Sequence, residues 1–440
     1  MASRDDFLPE IYAHTMANGL RLVGLEYSRT PWVSITFMAK RGAEADPVGR
    51  GGAADCLAEC LTLGTQHRDQ LDLALAVEGR GAVLKAHGSW DHSTITIEGL
   101  AEDFVDLMAI LAEIVLEPGF PAEEFLLLRD RRQAELLHAL DDPRELANRT
   151  YLPLFFGNNP YGHPVDGTPE SLAALDLETL RTFFQHNYQP QESSLIIVGM
   201  VPEPQAAATV QRFWSAWTAA APPTPVWQEA PQDLAAPSIY LLDRPELTQS
   251  EIRCGHLGPP RQTPDFFALR LVNYILGGGG FSSRLVLRIR AEKGLTYSIR
   301  SHFHFRRAPG PFIISTFTPA EHTATMIREI QEVMTEVRET GGTPTELAEA
   351  QSYYVGSFPL GLETPSGLAQ QIKNIELYDL GLDYLNLYRP RLLAVNHETA
   401  RAVAQKYLHP EDLVILVVGP ASRCRAELEK IGQVSLLPTS

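Results

Sequence analysis

The stretch Gly51–Thr65, GGAADCLAECLTLGT, sets two acids and two cysteines one helical turn apart. On a helix, Asp55 and Glu59 share one face, and Cys56 and Cys60 share another about 100° further round. Such groups could hold a metal, attack a substrate, or do neither. Carboxylates are hard ligands suited to Mg²⁺ or Ca²⁺, whereas thiols are soft ones. The plainer reading is cheap. Acids at this spacing repel by only ~0.2–0.5 kcal/mol on an exposed helix, and salt bridges or water can carry them. Cys56 and Cys60 then face the core as small apolar groups. A lone C-x-x-x-C is a weak signal, and nearby His67 does not complete a metal fingerprint.

A second candidate group lies in LVNYILGGGGFSSRLVLRIRAEKGLTYS, Leu271 to Ser298. Its glycine run, Gly277–Gly280, lacks the G-K-[ST] ending of a phosphate-binding loop. The pattern predicts a helix from Ser282 to Lys293 stopped by Gly294, then a strand alternating from Tyr297. Arg290 and Tyr297 are chemically suggestive, because a guanidinium fork and a neutral hydroxyl suit charge developing on a peptide carbonyl. The alternative is an arginine that complements the helix dipole and a tyrosine that packs. His302 and His304 alternate on the same strand and share one face, but no third metal ligand lies nearby in sequence. Ser282 and Ser283 sit in no nucleophile elbow.

The elements that must position these groups occur twice. TLRTFFQHNYQPQESSLIIVGMV, from Thr179, is echoed by TARAVAQKYLHPEDLVILVVGPA, from Thr399. Pro190 and Pro410 are 220 residues apart, as are Gly199 and Gly419. Each copy reads as a helix, a proline-closed turn and a strand buried on both faces. A looser echo joins GFPAEEFLLLRDRRQAELLHALDDP to GTPTELAEAQSYYVGSFPLGLETP, each a proline-and-glutamate start to a long helix. Residues 220–237 hold five prolines and suit an extended linker. The expected organisation is two similar α/β domains, 1–221 and 238–440, joined by a linker at 222–237.

At 440 residues the chain exceeds one ordinary core. A formal charge of −17 argues against nucleic acid, and no apolar run reaches membrane-spanning length. No secretory signal is visible at the start, so a cytoplasmic setting is expected. Four scattered cysteines are too few for a disulfide framework.

With these motifs in view, the whole chain resembles the insulinase/pitrilysin (M16) peptidases, the inverzincins. Their catalytic chains carry H-x-x-E-H on a helix followed by Gly-Thr. Aligned on Gly64-Thr65, the first histidine position holds Asp55, the general-base position Ala58 and the second histidine position Glu59. The remote glutamate position falls on Glu135. Ala58 has no group to take a proton from water, so the chain is expected to have no catalytic residues of its own and to bind no zinc. A Mg²⁺ or Ca²⁺ site at Asp55, Glu59 and Glu135 stays open as an alternative. The R-x-x-x-G-L-x-Y phrase matches the family at Arg290 and Tyr297, where the resemblance implies substrate binding and oxyanion stabilisation. The Asn158–Asp176 loop also resembles the family, with His163 as a structural residue.

The resemblance implies two duplicated domains, each a mostly antiparallel sheet covered by helices. It further implies the zinc-less subunit of a heterodimeric peptidase, with zinc in an H-x-x-E-H partner and an unfolded peptide as substrate. A homodimer is the fallback. The rival is a structural or peptide-holding protein with no hydrolytic role.

Overall fold

The computed structural model describes residues 10–157, 159–219 and 238–438; the expected linker, 222–237, lies outside them. The chain forms two compact units. The first comprises the described parts of Met1–Leu137, His163–Trp227 and Phe358–Leu387; the second those of His138–Gly162, Gln228–Ser357 and Tyr388–Ser440. The units thus cut across the sequence halves 1–221 and 238–440, since each includes one helical segment from the other half.

In the first unit, β1 (Tyr12–Thr15), β2 (Arg21–Glu26), β3 (Trp32–Ala39), β4 (Val83–Gly88), β5 (Ser93–Leu100) and β6 (Ser193–Gly199) form a six-stranded sheet. Its order is β1-β2-β6-β3-β5-β4, with only β2 and β6 parallel. The second unit repeats the plan with β7 (Ser238–Asp243), β8 (Gln249–Leu257), β9 (Ile299–Phe303), β10 (Pro311–Pro319), β11 (Val414–Gly419) and β12 (Val434–Leu437). Here the order is β12-β7-β11-β8-β10-β9, with β12, β7 and β11 parallel to their neighbours in that run. The two apolar repeats are β6 and β11, central in their sheets and buried at every residue, as a strand covered on both faces must be.

The helices that matter to the site are numbered in chain order: α1 (Ala53–Cys60), α2 (Ala122–Ala139), α3 (Pro143–Phe156), α4 (Leu177–Asn187), α5 (Phe266–Asn273), α6 (Val286–Glu292), α7 (Thr323–Thr340), α8 (Pro344–Ser357), α9 (Pro365–Tyr378) and α10 (His397–Tyr407). The duplication extends to capping. Asp176 Oδ1 accepts from Thr179 N at 2.8 Å before α4, and Asn396 Oδ1 accepts from Thr399 N at 2.8 Å before α10.

Two exchanged helices are tied to their sheets by polar anchors. On α9, the buried carboxylate of Glu376 accepts from Arg21 Nε (2.8 Å), Lys40 Nζ (2.7 Å) and Ser194 Oγ (3.0 Å). On α3, Tyr151 donates to the Val414 carbonyl at 2.8 Å, and Arg253 Nε donates to Asn148 Oδ1 at 2.9 Å. A buried carboxylate left without such partners would be costly, so these bonds specify where each helix sits.

The helix expected at Ser282–Lys293 begins later, because Ser283 is extended, and it runs with i→i+5 bonding over Val286–Glu292. Gly294 ends it at φ +62°, a conformation that disfavours side chains with a Cβ. The strand starts at Ile299, not Tyr297, so Tyr297 sits in the connecting turn instead of packing in the sheet.

Candidate functional site

The geometry of α1 is set before its first residue. Gly52 adopts φ +94°, which glycine permits, and starts the helix. The buried carboxylate of Asp46 accepts from Gly52 N (2.7 Å) and Ala54 N (2.8 Å) and meets His163 Nε2 at 3.0 Å. Burial pushes Asp46 above the usual carboxylate range, and the His163 contact opposes that. His163 is therefore a brace for the helix start. Cys56 and Cys60 are wholly buried in the hydrophobic core, and burial pushes both thiols up to about 12. They are inert thiols, not metal ligands.

Asp55 and Glu59 do share a face, but α2 supplies the cation between them. Arg132 Nη1 donates to Asp55 Oδ2 at 2.6 Å, while its Nε and Nη2 donate to Glu59 Oε2 at 2.9 and 2.6 Å. Asp55 Oδ1 also accepts from Gly88 N at 2.6 Å, tying α1 to the end of β4. Arg131 pairs with the remaining Glu59 oxygen. The Arg132 side chain is only 12% exposed. Burial alone would pull its pKa down, yet Asp55 and Glu59 outweigh it and raise the value. Arginine is in any case a permanent cation in a protein.

Glu135 does not join this cluster. It is 66% exposed and reaches only Arg131 Nε, at 3.7 Å. In the alternative of a shared cation site it would be the third acid, but it stands one turn beyond the arginine that does the neutralising, in keeping with the plainer reading of salt-bridged acids. Zinc does not fit such a donor set. Asp55 and Glu59 offer hard oxygens already engaged by guanidinium and backbone N–H, and Ala58 is fully buried without a basic atom. The Mg²⁺ or Ca²⁺ alternative meets the same obstacle. Among the described residues, potential ligand atoms gather instead at His409, Glu411 and Asp412, where Arg338 already holds Glu411 at 2.7 and 2.8 Å.

In the second unit, α6 and its approach carry three arginines with different fates. Arg284 grips Glu346 of α8 with two bonds of 2.8 Å. Arg288 pairs with Glu329, Glu332 and Glu336 along α7. Arg290 has no carboxylate partner among the described residues; its guanidinium lies 4.7 Å from the centre of the Phe281 ring. That ring is itself 74% exposed, and Tyr297 is 80% exposed with no hydrogen-bond partner among the described residues. The ring and the phenol are thus open and Arg290 half-buried, on and around a helix held by Arg284 and Arg288.

Sequence reasoning missed Arg132, although the pair Arg131-Arg132 stands three and four residues before Glu135 and was visible as surplus charge opposite an acidic pair. It also missed Glu376 and its three anchors, which come from widely separated stretches and leave no local signal.

A duplicated α/β plan with a metallopeptidase-type helix whose ligand positions are filled by an ion-paired network defines a class of chain, and the comparisons agree. The family model described as insulinase (peptidase family M16) matches residues 22–168, and that described as the peptidase M16 inactive domain matches residues 174–354. The chain belongs to the M16 peptidase family and lacks its zinc motif. It is 27% identical over 364 residues to an uncharacterized zinc protease of Mycobacterium leprae, covering 82% of this chain and 81% of that one. A Helicobacter pylori relative described as a non-peptidase homolog is 26% identical over 345 residues, 76% of each chain. The crystal structure of a peptidase M16 inactive domain from Pseudomonas fluorescens superposes with a TM-score of 0.87 at 26% identity, covering 93% of this chain and 98% of that one. No helix among the described residues is long and apolar enough to cross a membrane.

Proposed function

We propose that this chain is the zinc-less subunit of a two-chain M16 peptidase. It binds an unfolded peptide and lends Arg290 and Tyr297 to the zinc site of an H-x-x-E-H partner. The observation that carries the reading is the contrast among the arginines of α6 and its approach: Arg284 and Arg288 are neutralised, while Arg290 has no acid partner among the described residues and Tyr297, seven residues on, is exposed. A guanidinium held ready on a fixed helix suits a carbonyl or carboxylate of a peptide, and the hydroxyl suits the oxyanion formed as water adds. The water and its activation belong to the partner, since Ala58 supplies no base. A cytoplasmic setting belongs to the same reading and agrees with four cysteines that are all free.

Mixing the purified chain with a zinc-bearing M16 homologue should produce metal-dependent peptide cleavage and a heterodimer on size-exclusion chromatography. No gain over the homologue alone would overturn the reading. A second reading, a peptide-holding or structural protein without any hydrolytic role, is favoured by the non-peptidase description of the H. pylori relative. It predicts peptide binding or assembly with no cleavage by any mixture.

A further inference from the structure

One face of the first sheet carries a buried cation with no acid beside it. Strand register sets Arg21 (β2), Ser194 (β6), Met38 (β3), Thr94 (β5) and His87 (β4) side by side. Directly paired residues point to the same side of a sheet, so these five side chains form one row across five strands. Glu376 accepts from Arg21 and Ser194, which seats α9 over this side. Gly88, the residue after His87, faces the other way, and a Cβ added there would meet Asp55 Cα of α1 at 2.7 Å. Lys373 stands three residues before Glu376, on the same face of α9. Its charge acts on His87, which ends the row on the edge strand β4.

Lys373 is only 8% exposed. Burial alone lowers its pKa, and no acid among the described residues opposes the shift. The other cations on this side are matched: Arg21 and Lys40 by Glu376, and Lys85 by Glu98. An ammonium taken out of water without a partner costs stability, so Lys373 calls for a ligand that brings negative charge. Two donors stand with it. Thr94 is 1% exposed, and its hydroxyl lies 3.4 Å from both ring nitrogens of His87, too far to commit either group. Withdrawal from water, followed by the charge of Lys373, lowers His87, while Asp55 opposes from across the sheet. The imidazole is therefore neutral at pH 7 and offers one N–H.

We infer that Lys373, His87 and Thr94 form a binding site for a small monovalent carboxylate on the α9 side of the first sheet. The carboxylate accepts a charge-assisted bond from the Lys373 ammonium, and its second oxygen accepts from the His87 N–H or the Thr94 hydroxyl. Charge selects among anions. The site offers one full positive charge, with Glu376 one turn along α9 and Asp55 across the sheet. A phosphate dianion would double its repulsion from those acids without finding a second cation to hold it. Met38, wholly buried between Ser194 and Thr94 in the row, supplies an apolar floor for the carbon beside the carboxylate. The site shares no residue with Arg290 and Tyr297 and does not rest on the proposed function.

The test uses the full chain alone at pH 7, with acetate as the probe and acetamide and inorganic phosphate as controls at matched ionic strength. Acetate should saturably move the histidine Cε1–H resonance that is absent from the His87→Gln spectrum, and should raise the melting temperature. Acetamide should do neither, and phosphate should bind at least about tenfold more weakly. Lys373→Met removes the ammonium but keeps an unbranched side chain. Without ligand it should melt above the natural chain, and its acetate affinity should fall by about tenfold or more. His87→Gln, at an exposed edge position, should weaken acetate by about threefold, read from the melting temperature. The assignment would be overturned by no saturable response to acetate, by an equal response to acetamide or phosphate, or by undiminished binding in Lys373→Met. A Lys373→Met chain that melts below the natural one without ligand would overturn it too, since the lysine would then be structural. No partner and no turnover enter this measurement, so its failure leaves the proposed function standing.

Discussion

Two regions of this chain, α1 and α6, carry their charges in opposite states. At α1, Asp55 and Glu59 are joined to Arg132, so the charge a metal would bring is supplied by a side chain of α2. At α6, the neighbouring charges are spent on holding the helix, and Arg290 is left over. The lesson is electrostatic. A site that has lost its ligands cannot keep two partly buried acids without compensation, because unpaired charge in such a place costs several kcal/mol. Arg290, half-buried against the Phe281 ring, has no carboxylate to neutralise it among the described residues.

The comparison can be broken first at α1. Asp55→His with Glu59→His restores two imidazoles at i, i+4, but Arg132 would still repel a cation there. The pair with Arg132→Ala added should retain zinc through dialysis, read by elemental analysis, and the pair alone should not. Equal zinc in both would show that Arg132 is no obstacle. Next, Tyr297→Phe in the mixture with an H-x-x-E-H partner should cut kcat/KM by about 10²-fold, as loss of one oxyanion donor does, without changing the melting temperature. An unchanged rate would remove the phenol from the account.

Arg132→Ala by itself should destabilise the chain by about 2–4 kcal/mol, less than for a fully buried pair because Glu59 is partly exposed. Denaturant titration reads this directly, and a shift under 1 kcal/mol would mean that the network is ornamental. The smallest effect concerns Glu346. Its hydrogen bonds from Arg284 hold its carboxyl down at about 2. A depressed carboxylate contributes stability above its unfolded value of about 4.3 and loses it as pH falls toward 2. Glu346→Gln should therefore melt earlier than the natural chain at pH 7, with the gap closing near pH 2. A gap that widens on acidification would contradict the clamp.

Much of this was legible in the residues. The duplication announced itself because β6 and β11 need continuous apolar runs and the capped helices before them need the same turn, 220 residues apart. The absence of a base at Ala58 was equally plain. What stayed hidden depends on pairing across distance. Nothing local to Asp55 names Arg132, and nothing near Glu376 names Arg21, Lys40 or Ser194. The position of Tyr297 was misread because alternation in LTYSIRSHFHF extends two residues beyond the point where β9 pairs with β10. The helix of Arg290 was foreseen, but its late start depends on the extended backbone at Ser283.

The central claim is that α1 is now structural while Arg290 still serves a reaction. Measuring kcat/KM and melting temperature together for Arg290→Ala, in the mixture with a zinc-bearing homologue, tests it most directly. The account predicts a loss of about 2–4 kcal/mol in transition-state stabilisation with an unmoved melting temperature. Full activity in that variant, or a fall in rate matched by a fall in stability, would contradict it.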